Sequence, residues 1–130
     1  MEYLIGIVLA LVVCAFALVV GLDRDRAFYS AILIVVATYY ILFAVMGAST
    51  SVLTIESLVT CGFTALAVVG FKKNMWVVAG GLAGHGVFDF LRHFFIQNPG
   101  VPVWWPGFCG SFDVLAGAFL ALLLVRRAKA

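Results

Sequence analysis

The sequence predicts an all-α integral membrane protein, a bundle of five transmembrane helices in a single domain over residues 1–130. Of the 130 residues, 65% are hydrophobic and 11% are charged, and the mean hydropathy is +1.20. A soluble domain is usually only about half apolar. Each crossing of a bilayer takes about 20 apolar residues, so we expect this length to hold five crossings and no second domain.

Five apolar runs, each long enough for a helix, follow one another along the chain. Because a backbone in lipid must satisfy its own hydrogen bonds, each run is predicted to be helical. The first run opens with Met1 and Glu2 and is longer than the apolar core of a signal peptide, so we expect it to be retained. The predicted helices cover about 3–22, 27–46, 51–71, 75–96 and 108–125, and an outer loop covers 97–107.

The basic residues predict the orientation of the bundle. Seven of the eight Lys and Arg residues fall at alternate helix ends, and such clusters mark the cytoplasmic side. We therefore expect an outside N-terminus, a cytoplasmic C-terminus and a multi-pass location in the cell (inner) membrane. Because these residues cluster at helix ends rather than along an exposed face, they do not indicate a nucleic-acid partner. They are Arg24, Arg26, Lys72, Lys73, Arg126, Arg127 and Lys129.

The predicted 97–107 loop contains all three prolines of the chain, together with Trp104 and Trp105. Amphipathic aromatic rings favour the membrane interface, so we expect this loop to lie at the outer surface. It is interpreted either as an ordinary aromatic belt or as a lid over a binding site.

Six ionisable residues lie inside the apolar runs, where a charge is costly and usually marks function. At a rise of about 1.5 Å per residue, three carboxylates on three helices are predicted roughly 7–11 Å below the outer boundary. The six residues are Glu56 on helix three, His85, Asp89, Arg92 and His93 on helix four, and Asp113 on helix five.

The four polar residues of helix four fall within an arc of about 100°, so they are predicted to point together into the bundle. Tyr39 and Tyr40 of helix two lie at a similar depth. Three carboxylates against one arginine leave two excess negative charges if the histidines are neutral. A low-dielectric site must offset them with protonated histidines, a neutral carboxyl group or a bound cation.

A metal site is weighed separately, because His, Asp and Glu are ligands of zinc and iron. His85 and His93 are about 12 Å apart along a straight helix, so one ion cannot bind both. Asp89 and His93 with Glu56 or Asp113 would form a plausible set, but the adjacent Arg92 would repel a cation. We therefore predict no metal, and the sequence identifies no cofactor.

The leading hypothesis is a pocket, open to the outer leaflet, that binds membrane lipid or another hydrophobic or amphipathic small molecule. Acid/base chemistry on that molecule is an open question, as is whether the protein is an enzyme. The alternatives are a proton or ion pathway and a structural or assembly subunit. The candidate catalytic residues are Asp89, His93, Glu56, Asp113 and His85. The candidate ligand-binding residues are Arg92, Trp104, Trp105, Tyr39, Tyr40 and Cys109.

Small residues recur at four-residue spacing on the last two helices. Gly80 and Gly84 lie on helix four, and Cys109, Asp113, Gly117 and Ala121 lie on helix five. This spacing permits close approach between helices and is compatible with a homodimer.

The segments HGVFD at 85–89 and VPVWWPGFC at 101–109, followed by Asp113, resemble a family of small, uncharacterised bacterial integral membrane proteins. The resemblance covers the last two helices and implies no function. The count of five helices with His, acidic and Trp residues facing a cavity is also loosely similar to the emopamil-binding (EXPERA) proteins. That similarity implies only an architecture and a style of reaction.

Overall fold

The computed structural model describes residues 1–129, without the side chains of Arg26 and Lys129. The described chain forms five α-helices and two short 3₁₀ turns, and it contains no strand. The helices are α1 (Glu2–Val20), α2 (Arg26–Gly47), α3 (Thr50–Lys72), α4 (Met75–Leu91) and α5 (Trp105–Lys129). The 3₁₀ turns cover Leu22–Arg24 and Arg92–Phe94.

Local signals in the sequence explain where most helices start and stop. Gly21 ends α1 with a positive φ of 95°, a conformation that glycine adopts without steric cost. The side chains of Asp25, Ser49 and Asn74 accept hydrogen bonds from the first turns of α2, α3 and α4. These caps satisfy backbone N–H groups that have no partner inside the helix.

Two predicted boundaries near the last loop differ from the structure. Helix four was predicted to reach residue 96, but the α-helix ends at Leu91 and tightens into the 3₁₀ turn Arg92–Phe94. Helix five was predicted to begin at 108, but α5 begins at Trp105. Pro106 can enter the helix because the N–H groups of a first turn need no intrahelical partner.

Four helices are long and apolar enough to cross a membrane, namely α1, α2, α3 and α5. The remaining helix, α4, has 17 residues and packs against α2, α3 and α5. The architecture is compatible with a multi-pass membrane protein. We call the end of the bundle with Lys72 and Arg127 the basic end, and the end with residues 95–104 the loop end.

Small residues set the closest helix contacts. α4 packs most extensively on α5, and a Cβ atom added to Gly86 would lie 2.8 Å from the carbonyl oxygen of Gly110. α1 packs its backbone on α5, where Gly6 lies against the carbonyl of Phe108. Gly80 and Gly84, in contrast, have no neighbouring atom within 4 Å of an added Cβ. The close helix approach predicted for them is therefore not made within the described chain.

Candidate functional site

The ion pair between Arg92 and Glu56 lies at the loop end of the bundle. Nη1 and Nη2 of Arg92 donate to the two carboxylate oxygens of Glu56, each over 2.7 Å. Both side chains are buried. Nδ2 of Asn98 donates a third hydrogen bond to Glu56, also over 2.7 Å. Arg92 reaches this position because it starts the 3₁₀ turn that follows α4.

Tyr40 of α2 forms the next layer toward the middle of the bundle. The guanidinium carbon of Arg92 lies 3.5 Å from the centroid of its ring, in a cation–π contact. The rings of Tyr40 and His85 lie 6.1 Å apart. Tyr40 therefore separates the Arg92–Glu56 pair from the deeper polar residues.

His85, Asp89 and Asp113 form the deep cluster, and all three are buried. His85 Nδ1 lies 2.6 Å from Oδ2 of Asp113 and 3.5 Å from Oδ2 of Asp89. Asp89 follows His85 by one helical turn on α4, while Asp113 comes from α5. On the α3 side of the cluster, the ring of Phe63 packs edge-to-face on the imidazole of His85, with the ring centroids 4.6 Å apart.

Polar atoms of this cluster lack hydrogen-bond partners in the described chain. Both carboxylate oxygens of Asp89, Oδ1 of Asp113 and the Tyr40 hydroxyl are buried and unpaired. Burying such groups without partners is costly. One potential ligand atom from each of His85, Asp89 and Asp113 lies within 4.8 Å of the others. The cluster is thus compact, anionic and rich in free acceptors.

Cys109 connects the deep cluster with a large cavity. Its thiol lies 3.6 Å from Oδ2 of Asp113, and the same residue lines a cavity of about 430 Å³ between α1, α2 and α5. The backbones of α1 and α2 do not approach each other closely in the described chain, so α5 forms the floor between them. The lining is apolar and aromatic: Leu9, Val13, Phe28, Ala31, Ile32, Val35, Val36, Tyr39, Trp105, Phe108, Cys109 and Phe112. We call this cavity the groove.

The predicted site residues divide among these features. Glu56, Arg92 and Tyr40 meet at the loop end, and His85, Asp89 and Asp113 meet deeper in the bundle. Three further predicted residues line the groove: Tyr39, Trp105 and Cys109. The sequence therefore named residues that do meet, but the polar cluster and the cavity are adjacent features rather than one open polar pocket.

His93 and Trp104 lie outside the polar cluster. His93 is exposed, and its ring lies 4.0 Å from that of Phe94 at a tilt of 36°. The predicted position of His93 on the face of Asp89 was wrong, because α4 ends at Leu91 and the 3₁₀ turn changes the direction of the next side chains. Trp104 is 52% exposed at the loop end. Trp105 belongs to α5 rather than to a loop.

Asn98 is the functional candidate that the sequence argument missed. Besides Glu56, its side-chain amide donates to the backbone carbonyl of Tyr40 over 3.3 Å. The signal available in the sequence was a polar amide directly before the Pro99-Gly100 turn pair. The backbone N–H of Gly100 donates to Oδ1 of Asn98 over 3.1 Å and closes the turn.

In comparisons with protein-family models, curated proteins and solved structures, none matches this chain.

Proposed function

We propose that this chain is a five-pass membrane protein that binds the hydrocarbon chain of a lipid in the groove. The observation that carries the proposal is the groove itself, an apolar cavity of about 430 Å³. This volume is within the range of roughly 300–1,000 Å³ that is typical of small-molecule sites. The proposed orientation places the basic end in the cytoplasm, as the distribution of Lys and Arg favours.

The surroundings of the groove favour a lipid as its occupant. The outward surfaces of α1 and α2 carry exposed large apolar side chains, including Leu11, Phe16, Val35 and Leu42. In a bilayer these surfaces contact acyl chains, and no water is available to fill an apolar cavity between them. Dispersion contacts with the aromatic floor of α5 would hold one chain more firmly than its neighbours.

The loop end supplies a place for the polar part of the same lipid. Trp105 at the end of the groove packs edge-on against Tyr39 and Phe43, each ring centroid 5.0 Å away. Aromatic residues at this level suit the boundary between hydrocarbon and headgroup. The lipid would thus lie with its chain along α2 and its headgroup near Trp104 and Trp105.

The alternative of a proton or ion pathway has weaker support. A pathway needs polar groups through the whole membrane. Toward the basic end from His85, the buried residues of α4 are Leu82, Gly81, Ala79 and Val78. These side chains provide no donor or acceptor, so α4 contributes no polar path between His85 and the basic end.

The test is photo-crosslinking with a phosphatidylcholine that carries a diazirine on its acyl chain, using full-length protein reconstituted in vesicles. Ala31 lines the groove, so Ala31→Trp would fill it. Ala65 is an exposed alanine of α3 away from the groove, so Ala65→Trp is the matched control. Peptide mapping should find adducts concentrated on the groove residues of the wild type. They should fall severalfold in Ala31→Trp and persist in Ala65→Trp.

Adducts spread evenly over the exposed faces of all helices would contradict the proposal. So would an unchanged yield in Ala31→Trp. The two tryptophan variants add the same side chain at exposed alanines, so a difference between them reports the groove rather than the general effect of a tryptophan.

A further inference from the structure

The deep cluster contains two acidic side chains and one basic side chain, His85. Arg92 makes its two hydrogen bonds with Glu56, and that pair is neutral as a unit. Asp89 and Asp113 then face only His85 among basic groups. Two carboxylates beside a neutral imidazole carry two negative charges inside a membrane protein, where unpaired charge is costly.

The described side chains packed around the deep cluster bring no further basic group to it. α2 contributes the uncharged Tyr40, and α3 contributes the ring of Phe63. α5 contributes Cys109 beside Asp113, and α4 contributes His85 and Asp89 themselves. Among these packed side chains there is no Lys or Arg to neutralise Asp89 and Asp113.

The free acceptors point to a ligand rather than to a packing contact. Asp89 is fully buried, and neither of its oxygens has a hydrogen bond of good geometry; its ion-pair contact is with His85 Nδ1 at 3.5 Å. Asp113 is also fully buried, and its Oδ1 is unpaired. Buried carboxylates normally have donors or bind a metal ion. Three lone acceptor oxygens beside one imidazole nitrogen form a set of cation ligands.

We propose that His85, Asp89 and Asp113 bind a divalent transition-metal ion, with zinc as the representative. One nitrogen and two carboxylate oxygens are ligands that zinc accepts, and the imidazole nitrogen makes magnesium and calcium poorer matches. The two carboxylates balance the charge of a divalent ion. Three protein ligands leave a fourth position open, as in sites where the ion acts on a bound molecule.

Metal binding requires one local change. His85 Nδ1 and Asp113 Oδ2 are 2.6 Å apart, which is the distance of a shared proton. The ion would replace that proton, which would be released to solvent. Oδ1 of Asp113 and the two oxygens of Asp89 make no hydrogen bond that would have to break. This set was not predicted from the sequence, because the candidate metal ligands there were Asp89 and His93, with Glu56 or Asp113, and left His85 out.

The test uses the full-length protein in mild detergent, stripped with a chelator, incubated with zinc chloride and passed over a desalting column. Elemental analysis should find one zinc ion per chain. Asp89→Asn and Asp113→Asn should each lower zinc affinity by at least about tenfold. Asp23→Asn changes a buried aspartate at the basic end, and His93→Gln removes the exposed histidine, so both controls should retain zinc.

A cobalt titration of the wild type provides a second measurement that needs no variant to fold. Cobalt in the site should give visible absorption bands of a low-coordinate centre, and zinc should displace them. A wild type that retains no zinc, or a zinc content that falls in His93→Gln and stays in Asp89→Asn, would overturn the proposal. The measurement does not involve lipid, so its outcome is separate from that of the crosslinking test.

Discussion

Both carboxylate oxygens of Glu56 accept a hydrogen bond from the guanidinium of Arg92, 36 residues further along the chain, over 2.7 Å each. This fork-to-fork arrangement satisfies the two charges, and Asn98 adds a third donor. The pair joins α3 to the segment after α4. Removing one partner would leave the other charge buried without a counter-ion, and that cost is large.

Glu56→Gln should destabilise the protein by about 3–5 kcal/mol, because it leaves the buried charge of Arg92 without a counter-ion. The double variant Glu56→Leu with Arg92→Met removes both charges and should recover most of that loss. Unfolding in detergent, followed by circular dichroism, measures both. A double variant less stable than Glu56→Gln would show that the pair is favourable beyond the mutual neutralisation of its charges.

Asn98→Ala should cost roughly 1–3 kcal/mol, because it leaves a buried oxygen of Glu56 with one donor fewer. The matched control is Gln97→Ala, since the exposed Gln97 donates only to the backbone carbonyl of His93. Thermal unfolding midpoints compare the two. Equal effects would contradict a specific role for Asn98 at the ion pair.

Substitutions of Tyr40 can distinguish the contribution of its ring face from that of its hydroxyl. Tyr40→Phe keeps the face that Arg92 covers and removes only a hydroxyl without a hydrogen bond. It should therefore leave stability nearly unchanged, whereas Tyr40→Leu should cost about 2 kcal/mol or more for a desolvated cation–π contact. Equilibrium unfolding distinguishes them. A Tyr40→Phe variant as unstable as Tyr40→Leu would contradict this assignment of the stability to the ring face.

Gly86→Ala should destabilise the α4–α5 contact by about 1–3 kcal/mol, because its new methyl group would overlap the backbone of α5. Gly84→Ala is the control on the same helix, since nothing lies within 4 Å of an added Cβ there. It should be neutral or slightly stabilising. A lower unfolding midpoint for Gly86→Ala than for Gly84→Ala would show that the Gly86 face of α4 packs on α5.

The proposed orientation can be measured with fusions at the C-terminus in a bacterial host. A green fluorescent protein fused there should fluoresce, and an alkaline phosphatase should be inactive, because the basic end is proposed to face the cytoplasm. The same reporters at the N-terminus should give the opposite pattern. Matching patterns at both termini would exclude an odd number of crossings.

Helix number and capping were predictable because they depend on short-range properties. The apolar runs, the charged 23–26 segment and the capping residues Asp25, Ser49 and Asn74 are local signals. The same holds for His85 and Asp89, whose four-residue spacing placed them on one face of α4. The expected buried position of Glu56 and Asp113 followed from their location inside apolar runs.

Partner choice was not predictable, because it depends on how helices distant in sequence pack together. Depth alone could not show that Glu56 meets Arg92 while Asp113 meets His85. Nor could periodicity show that α4 stops at Leu91, since a shift from α-helix to 3₁₀ turn leaves no clear mark in the sequence. His93 was misplaced for that reason.

The packing of α1 has a consequence for how the chain is assembled. α1 rests its backbone on α5 and not on α2, α3 or α4, and at the basic end Arg127 of α5 donates to the carboxylate of Asp23, just after α1, over 2.9 Å. Because α5 is the last of the five described helices, the backbone contacts of α1 depend on a segment far along the chain. Without α5, the groove between α1 and α2 has no floor. On the proposed function, lipid binding in the groove therefore requires α5, which follows the other helices in the chain.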